Sequence, residues 1–593
     1  MRVTKLSLTN FRSFKETQTI EFAPVTLLFG PNSVGKSTVL MALFYLQQIL
    51  ARGQCDPYKI DALGDKLIGG FKNLVHGRSL DKSITIKIEY NKEGRIGQTY
   101  TDLSEALGLD AELILNGIAP DTDCVAVEFD ISWSAWKKTA YVSRYSVWLN
   151  DKFAAEVVVD SSLEQPIISK LNYLHPILQP EDIDSWLANQ FGDGVDIHPE
   201  TYARALLAAE GVVIPSDREI SKGIDWPPEG SEEWPVESTY SYVSTLHEYV
   251  NEYRLMSSIK QSDYISEIEG ADLLHVPLPI DTKFGALPSL GKKLSINLSI
   301  DNSQTEQLIN EVLSEAIVAP LDNLKGLLEE CLCIGPLRYI PDSSYQPNPY
   351  PEAKDWHKGL AAWDMLDKAE LPLLKSVNSW ISDENKLNLG YGIALQVNKK
   401  YGAIRSIESN NEFQPIDGKL TQDIAYEINE MSSSLPIDVN ETEYSYALWD
   451  KQNSIPVMPA EIGVGVSQLM PVVVAALHAK RGLIAVEQPE LHVHPRVQIA
   501  IGDLLTQIDT KAGFLIETHS EHLILRVLKR IRQTTDNELP DRFNAVAPDD
   551  VSIVYIEPSS DGASIRKIEI DEDGEFKTRW PHGFFSERRE ELM

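Results

Sequence analysis

GPNSVGKS, Gly30 to Ser37, is the stretch on which the fold turns. It fits GxxxxGK[ST], a loop whose glycines let the backbone bend so that successive N–H groups face phosphate oxygens. The helix that follows adds the positive end of its dipole. The context is the one the pattern needs. Val25 to Phe29 is a short apolar run that reads as a buried strand. Lys36 to Leu50 has helical spacing at Val39, Leu40, Leu43, Phe44 and Leu46. Strand, glycine loop and helix predict a nucleotide cradle for ATP with Mg2+. Lys36 is placed to reach the β- and γ-phosphates, Ser37 to ligate Mg2+ and Thr38 to meet the α-phosphate side. Gly30, Asn32, Ser33 and Gly35 complete the candidate binding set.

Upstream, Val3, Leu6 and Leu8 alternate as a strand, and Ile20 and Phe22 follow after a turn. Downstream, Ser83 to Tyr90 and Cys124 to Val159 alternate, which predicts antiparallel hairpins. Residues from about 180 to 330 read mainly as helices, broken by the Pro/Trp/Glu-rich loop Ser216 to Pro235. Asn302 to Cys333 reads as helices bent near Pro320, and Pro341 to Pro351 marks a further boundary. After Met458 the pattern becomes compact α/β. It has helices at Leu469–His478, Pro495–Thr506 and Glu521–Gln533, strands at Gly482–Val486 and Gly513–Glu517, and two last strands at Val551–Ile556 and Ala563–Ile570. Nucleotide-fold signals therefore stand at both chain ends, and the ends must fold against each other. The expected boundaries are 1–100 and 458–593 for the two halves of the head, 101–335 for an inserted β/helical region and 336–457 for a connecting lobe.

Composition narrows the function classes. The chain has 593 residues, 43% of them hydrophobic, and a net charge of −34. Such a fraction supports a sizeable core and excludes a disordered chain. No apolar run approaches the roughly 18 residues of a membrane span, and Met1 to Asn10 lacks a secretory h-region. Four cysteines cannot form a disulfide framework in so long a chain. The expectation is a cytoplasmic protein without a membrane partner. The acidic balance disfavours broad DNA coating, leaving room only for local nucleic-acid contact.

The opening NFRSF (Asn10 to Phe14), the phosphate loop and the late α/β block resemble ABC/SMC-like ATPases of the RecF and overcoming-lysogenisation-defect type. GPLRYIP (Gly335 to Pro341), EIGVGVSQLMP (Glu461 to Pro471), AVEQPELHVHP (Ala485 to Pro495), ETHSEH (Glu517 to His522) and WPHGFF (Trp580 to Phe585) extend the match. The set resembles a bacterial anti-phage subgroup of AAA-family ATPases whose C-terminal domain has no assigned function. The resemblance implies an α/β, ABC-type P-loop ATPase head split between the chain ends, with a large mixed β-hairpin/helical insertion.

It also implies roles. Arg12 would lie near the nucleotide. Glu461 to Gln468 occupies the place of the ABC signature, where Gly463 and Gly465 allow close backbone approach to the partner's nucleotide and Ser467 supplies a hydroxyl. At the Walker B position stands Glu487-Gln488. Glu487 can hold the Mg2+ shell, but Gln488 cannot accept a proton from water. Either hydrolysis is slow and ATP acts as a clamp, or Glu490 or His519 serves as base; a substitution made to trap nucleotide would look the same. His519 matches the switch histidine.

Other constellations compete. His492 and His494 with Glu490, and His519 with His522, have metal-like composition, yet ELHVHP sits where the resemblance puts a subunit-contacting loop. Arg526, Lys529, Arg530 and Arg532 form a basic cluster that reads as a solvated helix face ahead of a DNA contact. Trp226, Trp234, Tyr240 and Tyr242 anchor a surface segment in preference to stacking on bases, and the Trp580 tail packs on the core. The stretch after Glu521 is too short for the toprim nuclease domain of the overcoming-lysogenisation-defect relatives, and DEDG (Asp571 to Gly574) reads as a turn. The functional expectation is a regulatory ATPase. It would act as a homodimer or a higher oligomer of dimers and control a separate nuclease or toxin effector in phage defence. The alternatives are a RecF-type DNA repair or recombination ATPase and a nucleotide-binding scaffold.

Overall fold

The computed structural model describes residues 1–100, 122–163, 165–172, 175, 266–267, 274–296, 303–399, 414–416, 442–508 and 510–581. They form two compact units, one of residues 1–86 with 325–593, the other of residues 87–324.

The first unit is built on a six-stranded sheet: β1 (Val25–Phe29), β2 (Leu332–Ile334), β3 (Leu483–Glu487), β4 (Gly513–Glu517), β5 (Val551–Ser559) and β6 (Gly562–Ile568), in the spatial order β2-β3-β4-β1-β5-β6. The first five run parallel and β6 returns antiparallel. Every residue of β1, β3 and β4 is buried, which is why their sequences are unbroken apolar runs and not alternations. β1 comes from the start of the chain, yet both its neighbours come from the end. The α/β P-loop head is thus split between the chain ends, as the motif positions require.

Four helices frame the site: α1 (Lys36–Arg52), α2 (Val464–His478), α3 (Pro495–Gln507) and α4 (Glu521–Thr535). α2 starts at Val464, ahead of the Leu469 that periodicity suggests. Gly463 is its N-cap, so the helix start falls within the Glu461 to Gln468 stretch. The chain ends are stitched together by polar contacts as well. Ser552 Oγ donates to Glu21 O at 2.7 Å, Ile565 N to Gln18 Oε1 at 2.7 Å, and Lys15 Nζ pairs with Asp561 at 2.6 Å. Trp580 packs edge-on against Phe29 and Tyr555, with centroids 5.2 and 5.6 Å away. Phe584 and Phe585 lie outside the described residues.

Between β2 and α2 run three short helices, Ala353–His357, Leu360–Asp367 and Leu371–Ser382, and a small antiparallel sheet centred on Tyr391–Lys399 and Thr442–Asp450. The second unit carries the expected hairpins. Cys124–Ser134, Thr139–Leu149, Lys152–Val158 and Ile167–Leu171 pair in chain order. The helix Ser303–Ile317 is fixed to this sheet by Tyr145, whose hydroxyl donates to Ile317 O at 2.9 Å. The bend expected near Pro320 falls at Val318, because Pro320 is the second residue of the next helix and needs no N–H partner there. The loop Ser216 to Pro235, Tyr240 and Tyr242 lie outside the described residues. Helix was expected across 274–296 too, but Leu274–Pro279 is a strand paired antiparallel with Ile167–Leu171, and Thr282–Phe284 pairs with Leu287–Pro288 in a hairpin. Among the described residues, no helix is long and apolar enough to cross a membrane.

Candidate nucleotide site

The loop after β1 is shaped by backbone that only glycine tolerates in two places. Gly30 has φ 141° and Gly35 φ 126°. A Cβ on Gly30 would land on the carbonyl oxygen of Ile556, and one on Gly35 would land on Ser13 Oγ. Asn32 and Ser33 are exposed at the loop tip. Lys36 is only 3% exposed and folds back over the loop, its ammonium donating to Gly30 O and Pro31 O, both at 2.9 Å. Burial lowers the Lys36 pKa, against the opposing pull of Glu517 and Glu490. Thr38 Oγ1 accepts from Ser13 Oγ at 3.4 Å. Within NFRSF it is therefore Ser13 that touches the loop. Arg12, expected beside the nucleotide, instead donates to Met41 Sδ at 2.9 Å, and its backbone is tied to Leu74 O.

The two buried strands LIAVE and GFLIE end in Glu487 and Glu517, which pair directly across β3 and β4. The Ser37 hydroxyl lies 2.8 Å from Glu517 Oε2 and 3.4 Å from Glu487 Oε2. Glu517 was missed by sequence reasoning. A carboxylate closing an otherwise apolar five-residue strand was the available signal, since an ionisable group at the edge of a core needs a partner or a function. Desolvation, reinforced by Glu487, raises the Glu517 pKa. Desolvation also pushes Glu487 upward, but His357, Lys66 and Ser37 outweigh it and hold Glu487 below the ordinary carboxylate value.

Behind these groups lies a buried clamp. Arg338, from GPLRYIP, donates from Nη2 to Glu487 O at 2.9 Å and from Nη1 to Gln468 O at 3.0 Å. Gln468 Nε2 returns a bond to Arg338 O at 2.5 Å. Arg338 thus locks the end of β3 to α2, a role that no local pattern announces. Gln488 has φ 48°, and its N–H donates to Glu517 O at 2.7 Å, so the turn after β3 is tied to β4. Glu490 braces the switch segment: Oε2 accepts from Thr518 Oγ1 at 2.9 Å and Oε1 from His519 N at 2.7 Å. Burial raises the Glu490 pKa, whereas desolvation and the nearby Lys36 lower that of His519.

Several expectations need correction. Ser467 is fully buried, and its hydroxyl donates to Pro459 O at 2.8 Å, so it is not presented outward. A Cβ on Gly465 would strike His492 O; this glycine serves the packing of α2 on the ELHVHP loop. Gly463 is exposed, with nothing near its Cβ position. His494 accepts from Arg496 N at 3.2 Å through Nδ1 as the N-cap of α3. The basic cluster is not a free face either. Arg526 and the buried Arg530 bind Asp503 at 2.9 and 2.7 Å, and Arg532 binds Glu575 at 2.7 Å.

A family model described as the AAA ATPase domain matches residues 1–174 and 363–524, and one described as a protein of unknown function, DUF3696, matches residues 546–593. A DNA replication and repair protein RecF of Desulforamulus reducens is 49% identical over 45 residues, which is 8% of this chain and 12% of that protein. The chain thus spans about an eighth of the length of that relative. The SMC head domain from Thermotoga maritima is 8% identical, with 96% of this chain and 100% of that one covered and a TM-score of 0.33. An SmcHead bound to the C-winged helix domain of ScpA is 11% identical, with 96% and 98% covered and a TM-score of 0.34.

Proposed function

The chain belongs to the AAA ATPase domain family, and from that premise we propose an ATP-driven regulatory switch. Two copies close on ATP and Mg2+, and closure controls a separately encoded nuclease or toxin in a bacterial anti-phage system. The observation that carries the nucleotide reading is the Ser37 hydroxyl held between Glu517 and Glu487 at the mouth of the glycine loop.

The residues fit both ligands. Gly30 and Gly35, packed so closely on Ile556 O and Ser13 Oγ that neither tolerates a Cβ, hold the loop in a positive-φ turn ahead of the α1 N-terminus, the setting in which backbone N–H groups cradle phosphate. Hydroxyl and carboxylate oxygens are the hard donors that Mg2+ takes. When bound, Mg2+ offsets the charge of the β- and γ-phosphate oxygens. With nucleotide bound, Lys36 would exchange the carbonyl oxygens of Gly30 and Pro31 for phosphate oxygens. Gln488 orients water without accepting its proton, and both oxygens of Glu490 are engaged in bracing the switch. His519, biased toward its neutral form, is left as the proton acceptor. Slow turnover follows, with ATP acting chiefly as a clamp.

Dimer closure is supported by the exposed apolar side chains beside the α2 N-terminus, Met458 at 51% and Val464 at 53%. With Ser467 turned inward, the backbone N–H groups of this helix start face the partner's nucleotide. Control of an effector is supported by the motif set shared with the anti-phage subgroup. The test is co-expression with neighbouring reading frames. The wild type should copurify an effector in an ATP-dependent way and dimerise on ATP, and Lys36→Ala should do neither. ATP-independent behaviour in both proteins would overturn the reading. The 45-residue RecF match favours a second reading, loading on DNA; DNA-stimulated turnover with steep salt dependence would select it.

A further inference from the structure

We propose that Cys333, His357 and Glu487 form a binding site for a soft divalent ion of the zinc class, placed so that the ion competes for the Walker B carboxylate. One ligand atom from each residue lies within 4.8 Å of the other two. The three side chains come from separate elements, β2, the helix Ala353–His357 and β3. Their convergence is set by register. Cys333 pairs with Ala485 in the parallel ladder, so its side chain falls on the sheet face that also carries Glu487, two residues further on. His357 Nε2 already lies 3.8 Å from Glu487 Oε1. Tetrahedral zinc, with bonds of about 2.0–2.3 Å, spaces its ligands by about 3.5 Å, so small side-chain shifts suffice.

A second observation marks the imidazole as seated. A Cβ on Gly64 would stand 2.8 Å from His357 Nδ1, and one on Gly335 2.7 Å from its Nε2. Gly335 N also donates to His357 O at 2.9 Å. The ring thus packs against two glycines, in space that a side chain at either position would take, with Nε2 beside Glu487. Cys333 is 1% exposed, and thiolate, imidazole and carboxylate together are a zinc-type donor set that leaves a fourth position for water. As the metal–sulfur bond forms, the thiol proton leaves to solvent. Lys66 opposes a cation here, and Glu487 with the neighbouring Glu517 offsets it.

Glu487 is shared between two sides. Oε1 faces His357 and Oε2 faces Ser37. Occupation of the soft site therefore draws Glu487 away from the nucleotide-linked Mg2+. This competition, unlike the site itself, rests on the reading of Glu487 as an Mg2+ ligand. The experiment separates the two. Chelator-stripped full-length protein, without nucleotide, is titrated with Co2+. One equivalent should produce the thiolate-to-cobalt charge-transfer band and tetrahedral d–d bands, and Zn2+ should displace them. Cys333→Ser, and Cys333→Ala as a second variant, should lose the charge-transfer band while melting like the wild type. His357→Ala should weaken binding at least tenfold. No band in the wild type, or a band that survives both Cys333 variants, overturns the site. In the second arm, one equivalent of Zn2+ should raise the Mg2+ concentration needed for ATP binding several-fold in the wild type and not in Cys333→Ser. An unchanged requirement in the wild type overturns the competition.

Discussion

Glu517 stands opposite Glu487 in the pairing of β4 with β3, and the two carboxylates share one hydroxyl, that of Ser37. Because β4 lies between β1 and β3, the phosphate loop meets Glu517 before it meets Glu487. Two partly desolvated carboxylates so close repel each other until a cation arrives. Glu517→Gln keeps a partner for Ser37 and removes one charge. It should stabilise the nucleotide-free protein by about 1 kcal/mol, seen as a higher melting temperature. The same change should raise the Mg2+ requirement for ATP binding about tenfold or more, read by calorimetry. A variant that melts lower while binding Mg2+ and ATP normally would remove Glu517 from the site.

The pH dependence of stability follows with its sign. Glu517 and Glu490 both titrate above the ordinary carboxyl value of 4.5 in the folded chain. The stability each contributes is fully present below 4.5 and is lost as pH rises through the folded pKa. Glu487 behaves oppositely: its contribution is present above 4.5 and is lost as pH falls through its lower folded value. The gap in melting temperature between Glu517→Gln and the wild type should therefore widen as pH rises from 4.5 toward neutrality. A gap that narrows over that window would mean that the Glu517 pKa is not raised by its surroundings.

These contrasts show what a linear reading can reach. Gly30 to Ser37 was legible because its chemistry is local: a loop flanked by its own strand and helix. Glu487 was legible through the motif that follows its strand. Glu517 was not, because its proximity to Ser37 comes from strand order, which no local spacing encodes. Arg338 was quoted within a motif, but its clamp reaches residues more than a hundred positions away. Ser467 was misread because the helix begins at Val464, which turns its hydroxyl inward to Pro459. Arg530 read as solvated until Asp503, on a helix packed beside it, supplied the partner.

The two glycines at the start of α2 separate packing from function. Gly465→Ala drives a Cβ into His492 O and should cost about 1–3 kcal/mol, measured by chemical denaturation. Gly463 has φ −58° and no atom near its Cβ position, so Gly463→Ala should leave stability within about 0.5 kcal/mol. Its effect should appear only in ATP-dependent dimerisation, followed by sedimentation. Equal destabilisation by both substitutions would contradict the packing assigned to Gly465.

Asp503 decides whether the α4 arginines are structural. It is 3% exposed and accepts from Arg526 at 2.9 Å and from Arg530 at 2.7 and 3.1 Å, while the Arg530 guanidinium lies 3.6 Å from the Phe543 ring centre. Asp503→Asn leaves Arg530 buried without its counter-charge and should destabilise the first unit by about 3 kcal/mol or more. Replacing both partners with apolar residues, Asp503→Leu with Arg530→Met, should recover most of that loss, because the cost lies in the orphaned charge and not in the missing pair. A nucleic-acid role for these arginines predicts a different pattern: Arg526→Ala would flatten the salt dependence of DNA binding by about one unit of slope. With both arginines committed to Asp503, we expect that slope to stay unchanged while the melting temperature falls.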